Sequence, residues 1–255
     1  MSAPVFLADA GKLDGHAPGS TFVLEGTEAR HAGVVQRRRV GERIDVADGA
    51  GVRLECVIAS VEPGRLALEV VGRQDEPAPA VRLVLAQALA KGDRDELAIE
   101  AATEVGVDVV VPWQAARSVV VWRGERAAKS RARWLATVRE ATKQARRARL
   151  PEVTQALDSA GLVAHVRSVV AGGGTAIVLD GSGPVPLGEV PLPDGGTPAE
   201  LLVVVGPEGG IADGELTALA DAGAYVTRLG PTVLRTSTAG PVALALLAQR
   251  LGRWS

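Results

Sequence analysis

Hydrophobic and polar positions follow two different patterns along this chain. In the N-terminal part, short segments at residues 21–24, 43–46, 53–58 and 65–70 alternate apolar and polar side chains or are rich in β-prone residues. A period of two predicts half-buried β-strands. Turn signals at residues 48–51 (Asp-Gly-Ala-Gly) and 62–64 (Glu-Pro-Gly) separate them. Short strands at even spacing predict a small β-barrel domain over residues 1–75.

After a proline-containing linker at residues 74–80, apolar strands alternate with helical patterns. The predicted strands are residues 81–89, 107–112, 175–180, 201–206 and 225–229, and the predicted helices are residues 93–105, 126–149, 160–170, 213–222 and 238–251. Asp93 is expected to cap its helix, and Pro241 is expected in the first turn of the last one. This alternation predicts an α/β domain with a mostly parallel sheet over residues 76–255.

Composition narrows the class of protein. Hydrophobic residues make up 47% of the 255 residues, which is enough for a packed core. No apolar run reaches the roughly 18 residues of a membrane span, and residues 1–19 do not resemble a signal peptide. Cys56 is the single cysteine and the three histidines are scattered, so neither a disulfide framework nor a metal site is expected. We therefore expect a cytoplasmic, metal-free protein without a membrane partner.

Charge is distributed unevenly although the net charge is only −2. Residues 117–149 hold eleven Arg or Lys against Glu125 and Glu140, and a second basic cluster includes Arg37, Arg38 and Arg39. A local basic patch binds phosphate whatever the total charge is, so a nucleic-acid partner stays open. The alternative is a solvated charged helix face.

Two strand ends carry the strongest candidate chemistry. Residues 203–210 read Val-Val-Val-Gly-Pro-Glu-Gly-Gly, and residues 229–238 read Leu-Gly-Pro-Thr-Val-Leu-Arg-Thr-Ser-Thr. A third strand end, residues 179–183, could complete a pocket, because ligands of open α/β sheets lie beyond the carboxyl ends of strands. Backbone groups from three loops suit a neutral adenosine-like ligand, and no Gly-Lys-Ser/Thr follows to form a P-loop. Tight turns and a helix cap at Thr238 are the alternatives.

These two loops, with their spacing and the final helix, look like the cofactor region of the SPOUT methyltransferases. The whole chain resembles the bacterial 16S ribosomal RNA uracil-N3 methyltransferase family. The motifs that carry the resemblance are residues 31–37 (His-Ala-Gly-Val-Val-Gln-Arg), 48–51, 87–92 (Gln-Ala-Leu-Ala-Lys-Gly), 102–107 (Ala-Thr-Glu-Val-Gly-Val), 117–118, 133–134, 144–147 and 151–152. Each motif is weak alone, but their order and spacing are specific and cover nearly the full length.

The resemblance implies a PUA-like N-terminal β-barrel that binds RNA and a C-terminal SPOUT α/β domain with a trefoil knot. It also implies a homodimer with each S-adenosylmethionine pocket near the subunit interface. This sequence departs from the family pattern at Thr232, where the family has arginine, and at Ser237, where it has glutamate. The departures put those two side-chain roles in doubt but leave the backbone contacts unaffected.

The implied reaction methylates N3 of a specific uridine in 16S ribosomal RNA of the small subunit. N3 lies on the pairing edge, so the base must be unpaired or flipped. The expected cofactor-binding residues are Leu179, Gly206, Pro207, Gly209, Gly210, Leu229, Gly230, Pro231, Leu234, Thr236 and Thr238. Arg235 is expected to hold the uracil oxygens or a phosphate, with a structural salt bridge as the alternative. Glu208 is a candidate general base, or only a cap of the following helix.

The expected RNA-binding residues are Arg37, Arg38, Arg39, Lys91, Arg139, Lys143, Arg146, Arg147 and Arg149. Their phosphate contacts would position the RNA without reading its sequence. Two rival functions stay open: methylation of a ribose 2′-hydroxyl, and a non-catalytic role in RNA binding or ribosome assembly. A Rossmann dehydrogenase is disfavoured, since no Gly-x-Gly-x-x-Gly follows the first strand of the α/β domain.

Overall fold

In the computed structural model, which describes residues 3–254, the alternating N-terminal segments form a five-stranded sheet. Its elements are β1 (Val5–Leu7), β2 (Thr21–Glu25), α1 (Gly26–Arg30), β3 (Arg43–Ala47), β4 (Val52–Glu62) and β5 (Arg65–Asp75). A π-helical turn, His31–Val35, continues α1 and has no periodic signal in the sequence. The strand order is β1-β3-β4-β5-β2, antiparallel except for the β1–β3 pair.

The strands of this sheet share one apolar core. It takes side chains from both ends of the strand order, Phe6 on β1 and Phe22 on β2, together with the central strands. Cys56 lies fully buried among them, and burial raises the pKa of its thiol to about 12. The compact unit built on this core comprises the residues up to Ala78 and also Arg139–Leu150. The predicted linker, residues 74–80, overlaps β5, since residues 74 and 75 are the last two of that strand.

The second compact unit, Pro79–Val138 with Pro151 onwards, confirms the α/β class. Its elements are β6 (Val81–Ala88), α2 (Arg94–Glu104), β7 (Val109–Gln114), α3 (Glu125–Gln144, whose last turns belong to the first unit), β8 (Glu152–Val153), β9 (Leu157–Asp158), α4 (Ser159–Ala171), β10 (Thr175–Leu179), β11 (Val185–Pro186), β12 (Ala199–Val205), α5 (Asp213–Asp221), β13 (Tyr225–Arg228) and α6 (Thr236–Arg250). The strand order is β11-β13-β10-β12-β6-β7-β8, with β9 also on β7, and every pair is parallel.

Helices cover both faces of this sheet, as a parallel sheet requires. Val84, Ala86 and Ala88 of β6 belong to the core cluster that α4 and α5 complete. The intervening side chains face α6. That helix lies unusually close to the sheet, because a Cβ at Gly240 would come within 2.9 Å of Leu85 Cδ1. Helix α2 packs on α6.

Three local predictions were wrong. The long helix ends at Gln144 and not at residue 149, because Arg146 adopts a left-handed backbone (φ 55°) and the Arg147 N–H bonds to the Thr142 carbonyl at 3.0 Å. This is the Schellman pattern that usually takes glycine. Asp93 stands at the N-cap of α2 without a side-chain capping bond. Pro241 lies past the first turn of α6, since that helix begins at Thr236.

Candidate functional site

Three strands of the second unit end at the same edge of the sheet. The neighbours β13, β10 and β12 run parallel, so their carboxyl ends, and the loops that follow, lie side by side. These loops enclose a cavity of about 560 Å³, within the usual size of a small-molecule site. Its lining residues are Arg94, Leu179, Asp180, Gly181, Val205, Gly206, Pro207, Glu208, Gly210, Ile211, Thr227, Arg228, Leu229, Gly230, Thr232, Val233, Leu234, Arg235, Thr236 and Ala239.

The loop after β12 is a tight turn with little freedom. The Gly210 N–H bonds to the Pro207 carbonyl at 2.9 Å, and Gly210 has a left-handed backbone (φ 73°) that favours glycine. A Cβ at Gly206 would lie 2.6 Å from Cγ1 of Ile211, so only glycine fits there. On its outer side, the Arg117 guanidinium donates to the carbonyls of Gly209 and Ile211, both at 3.2 Å.

The loop after β13 leads into α6. Arg235 occupies the N-cap position, and its carbonyl accepts from the Thr238 and Ala239 N–H groups at 2.8 and 3.0 Å. Its side chain lines the cavity and forms no hydrogen bond or ion pair with any residue in 3–254. Val233, in the same loop, also lines the cavity and is 96% exposed.

A buried polar bridge joins the two loops at their roots. The Thr236 hydroxyl donates to the Gly206 carbonyl at 2.8 Å and accepts from Nε2 of Gln87 at 2.9 Å. Gln87 stands on β6 in register with Val205 and is fully buried. The end of β12, the start of α6 and the neighbouring interior strand β6 are therefore connected by side-chain hydrogen bonds.

Glu208 links the first loop to α2. Its Oε1 accepts from the Lys91 N–H at 3.2 Å and from the Arg94 guanidinium at 2.9 Å. Partial burial by itself would raise the pKa of Glu208. Hydrogen bonds from its own backbone and from Lys91, with the Arg94 charge, outweigh burial and hold the pKa below its ordinary value. Glu208 is thus ionised at neutral pH. It does not cap the following helix, since α5 begins five residues later, at Asp213, with Ala212 at the N-cap.

Most sequence-predicted cofactor residues meet at this cavity. Its lining includes Leu179, Gly206, Pro207, Gly210, Leu229, Gly230, Leu234 and Thr236, together with the predicted catalytic pair Glu208 and Arg235. Gly209 and Pro231 lie on the same loops, and Thr238 in the first turn of α6, but all three are outside the lining. Sequence reasoning missed the cavity residues Arg94 and Arg228. Position was the available signal, because Arg228 is the last residue of β13 and Arg94 begins the helix that follows β6.

The predicted RNA-binding residues divide into engaged and open side chains. Lys143 pairs with Glu28 at 3.2 Å and Glu140 at 2.7 Å, and its side chain is only 9% exposed. The Arg149 guanidinium donates to the carbonyls of Glu76 and Pro77, and Arg38 pairs with Glu42 at 3.5 Å. Across residues 3–254, no hydrogen bond or ion pair is found for the side chains of Arg37, Arg39, Lys91 and Arg139. The Arg146 charge acts on Asp45, where it opposes the rise in pKa that burial causes. The backbone N–H of Arg147 closes the end of α3.

None of the helices within residues 3–254 is both long enough and apolar enough for a bilayer crossing. In the same range no three His, Cys, Asp or Glu side chains cluster as metal ligands would.

Comparisons with known proteins agree with this geometry. A family model described as an RNA methyltransferase domain matches residues 76–248. The chain is 44% identical over 236 residues to ribosomal RNA small subunit methyltransferase E of Mycobacterium bovis, which covers 92% of this chain and 89% of that protein. The protein of the same name from Bacillus subtilis is 30% identical, with coverage of 89% and 90%.

Solved structures extend the likeness to three dimensions. Ribosomal RNA small subunit methyltransferase E from Neisseria gonorrhoeae, bound to S-adenosyl methionine, aligns with a TM-score of 0.83 at 26% identity over 98% of both chains. A methyltransferase from Legionella pneumophila in complex with the cofactor SAM aligns with a TM-score of 0.82 at 25% identity, again over 98% of both chains. This chain therefore belongs to the RNA methyltransferase family whose members include ribosomal RNA small subunit methyltransferase E.

Proposed function

We propose that this protein transfers the methyl group of S-adenosylmethionine to N3 of a specific uridine in 16S ribosomal RNA of the small subunit, in the cytoplasm. The observation that carries the proposal is the cavity formed by three strand-end loops, in a chain 44% identical to a small subunit rRNA methyltransferase. A relative of the same fold is bound to S-adenosyl methionine. The uracil base and its nitrogen follow from the family resemblance of the sequence motifs.

The residues present fit S-adenosylmethionine. Glycine at 206 and 210 lets the chain turn tightly, and the space beside Gly230 is open, so backbone groups can approach a flat adenosine. We assign to the cofactor the eleven predicted residues Leu179, Gly206, Pro207, Gly209, Gly210, Leu229, Gly230, Pro231, Leu234, Thr236 and Thr238. When bound, the methyl sulfonium supplies an activated methyl group.

The chain's own residues must then align the uracil and accept its N3 proton. Arg235 is our candidate for holding the uracil oxygens or an adjacent phosphate, because its guanidinium lines the cavity without a protein partner in residues 3–254. Glu208 is ionised and lines the same cavity, which suits a proton acceptor, but its lowered pKa makes it a weak base. Its bonds to Arg94 and Lys91 support a second role in placing α2 beside the loop.

RNA contacts are proposed for the predicted basic residues Arg37, Arg38, Arg39, Lys91, Arg139, Lys143, Arg146, Arg147 and Arg149. The open side chains among them suit phosphate best. Engagement of Lys143 with two carboxylates and of Arg149 with two carbonyls leaves both less available. We further propose that residues 1–75 form a PUA-like RNA-binding barrel and residues 76–255 the methyltransferase domain. The single core shared by β1 and β2, at opposite ends of the strand order, supports closure of this barrel.

We propose a trefoil knot around α6. From β13 the chain passes back across β10 to reach α6, which packs on β12 and β6. At the far end of α6, Arg250 donates to the carbonyls of Leu187 and Val190, both at 2.8 Å. The segment between β10 and β12 therefore touches α6, as a loop with the helix threaded through it would.

A homodimer is the proposed assembly. Val242 and Leu246 stand one turn apart on α6 and are 36% and 47% exposed, and Leu97 on the adjacent α2 is 55% exposed. An apolar face of this kind is typical of an interface. Light scattering after size-exclusion chromatography should give twice the chain mass, and Leu246→Arg should give a monomer.

Calorimetric titration with S-adenosylmethionine, with ATP and NAD as controls, tests the proposed function. We expect S-adenosylmethionine alone to bind. Arg235→Ala should keep this binding and lose methyl transfer to small-subunit RNA. Absence of binding both to the free protein and in the presence of small ribosomal subunits would reject the proposal and favour a non-catalytic RNA-binding role.

A further inference from the structure

Gln87 is a polar residue in an apolar row. Side chains alternate along β6, so Gln87 follows Leu83 and Leu85 on the face that carries α6, while Val84, Ala86 and Ala88 serve the opposite core. A leucine would continue the row, and burial of an amide costs free energy unless it is hydrogen-bonded. Gln87 is 0% exposed, and its Oε1 has no partner within residues 3–254. The residue type thus requires a reason other than packing.

The bridge to Thr236 supplies that reason. Because the Gln87 amide donates to the Thr236 hydroxyl at 2.9 Å, the single proton of that hydroxyl points to the Gly206 carbonyl, 2.8 Å away. Gly206 ends β12 and Thr236 begins α6, so this bond spans the roots of both cavity loops. Gln87 ties this bond to β6, an interior strand of the sheet that neighbours β12.

We propose that Gln87 and Thr236 are positioning residues that hold the two loops at the separation the cofactor needs. The proposal rests on the proposed function and deepens it. A pocket made of backbone groups binds tightly only when the loops are arranged before the ligand arrives. The hydroxyl of Thr236 is already used by Gly206 and Gln87, so the hydroxyl acts through loop placement, and direct contact with the cofactor is left to the other atoms of Thr236.

Three single variants measure the bridge. Thr236→Val keeps the shape and removes the hydroxyl, and we expect S-adenosylmethionine affinity to fall about tenfold. Thr236→Ser restores the hydroxyl and should restore affinity. Gln87→Met keeps the length and removes the donor, and we expect about a threefold loss, because the hydroxyl stays but its proton is no longer directed.

The double variant Gln87→Met/Thr236→Val separates positioning from stability. Thr236→Val alone leaves the buried Gln87 amide with only its longer bond to the Ala88 carbonyl, at 3.3 Å, and should lower the melting temperature. Replacing both partners with apolar groups removes that penalty. We therefore expect the double variant to recover melting temperature while its affinity for S-adenosylmethionine stays about tenfold low.

Thr175→Val is the matched control. Thr175 is equally buried, and its hydroxyl also donates to a carbonyl, that of Pro191 at 3.0 Å, but at the opposite end of the sheet. It should lose stability and keep affinity. If the wild type binds and the folded variants bind equally well, or if affinity returns with stability in the double variant, the positioning role is wrong. If the wild type does not bind S-adenosylmethionine in either titration, the proposed function fails instead.

Discussion

Two glycines of the cavity wall differ in what an added methyl group would meet. At Gly206 a Cβ would lie 2.6 Å from Ile211 Cγ1 and 3.4 Å from the Ile211 nitrogen. Ile211 is 5% exposed and belongs to the core on the α4–α5 face, so it has little room to move. At Gly230 no atom lies within 4 Å. Neither glycine has a left-handed backbone, and so the contrast is steric.

Gly206→Ala should therefore destabilise the fold by about 1–3 kcal/mol, the usual cost of overpacking. For a chain of this size, each kcal/mol lowers the melting temperature by about 2–4 °C. Gly230→Ala should leave the melting temperature unchanged, but its methyl group enters the cavity. A clash of about 1–3 kcal/mol with bound S-adenosylmethionine would weaken binding about five- to 150-fold.

Thermal unfolding and calorimetric titration of both variants measure these effects separately. Gly188→Ala is the control, because Gly188 has open space, no left-handed backbone and no place in the cavity wall. A Gly206→Ala protein that melts with the wild type would refute the steric argument. Unchanged affinity in Gly230→Ala would show that the second loop does not face the cofactor.

Three further predictions concern charged groups. Arg253→Ala removes two bonds to Asp108, at 2.7 and 3.1 Å, and should cost about 1–3 kcal/mol in a denaturant titration, whereas an unchanged midpoint would contradict this. Arg139→Ala should reduce the salt slope of RNA binding by about 1 without changing the melting temperature. Arg149→Ala should lower the melting temperature, because it removes two hydrogen bonds to backbone carbonyls. The reverse outcome would make Arg149 the phosphate ligand and Arg139 the structural residue. The pKa of Glu208 is lowered in the folded protein, so ionised Glu208 stabilises the fold. This stabilisation is complete above the ordinary pKa of 4.5 and is lost as the pH falls through the lowered pKa. Glu208→Gln should thus destabilise at pH 7 and less at pH 3; an equal effect at both would refute the charge argument.

The sequence was most informative where one pattern had one physical cause. Strand and helix alternation predicted the parallel α/β sheet, and two Gly-Pro strand ends marked loops that the structure places around one cavity. Their convergence followed from parallel strands alone. The same reasoning placed Leu179 at the third strand end, and the cavity wall includes it.

Features that depend on distant partners could not be predicted. Nothing near Arg146 signals a helix end, because the left-handed position is taken by an arginine and not by glycine. The sequence could not show that Lys143 pairs with Glu28, or that Arg149 donates to the Glu76 carbonyl, because both partners are far away in sequence. Gln87 belongs to a motif on which the family resemblance rests, but its bond to Thr236 could not be predicted, because the two residues are 149 positions apart.

Product identification tests the central claim most directly. Small ribosomal subunits lacking the modification would be incubated with the protein and isotopically labelled S-adenosylmethionine, and the digested RNA analysed by mass spectrometry. The account predicts label in 3-methyluridine at one position of 16S ribosomal RNA. Label in a 2′-O-methylated nucleoside, or none from a protein that binds S-adenosylmethionine, would contradict it.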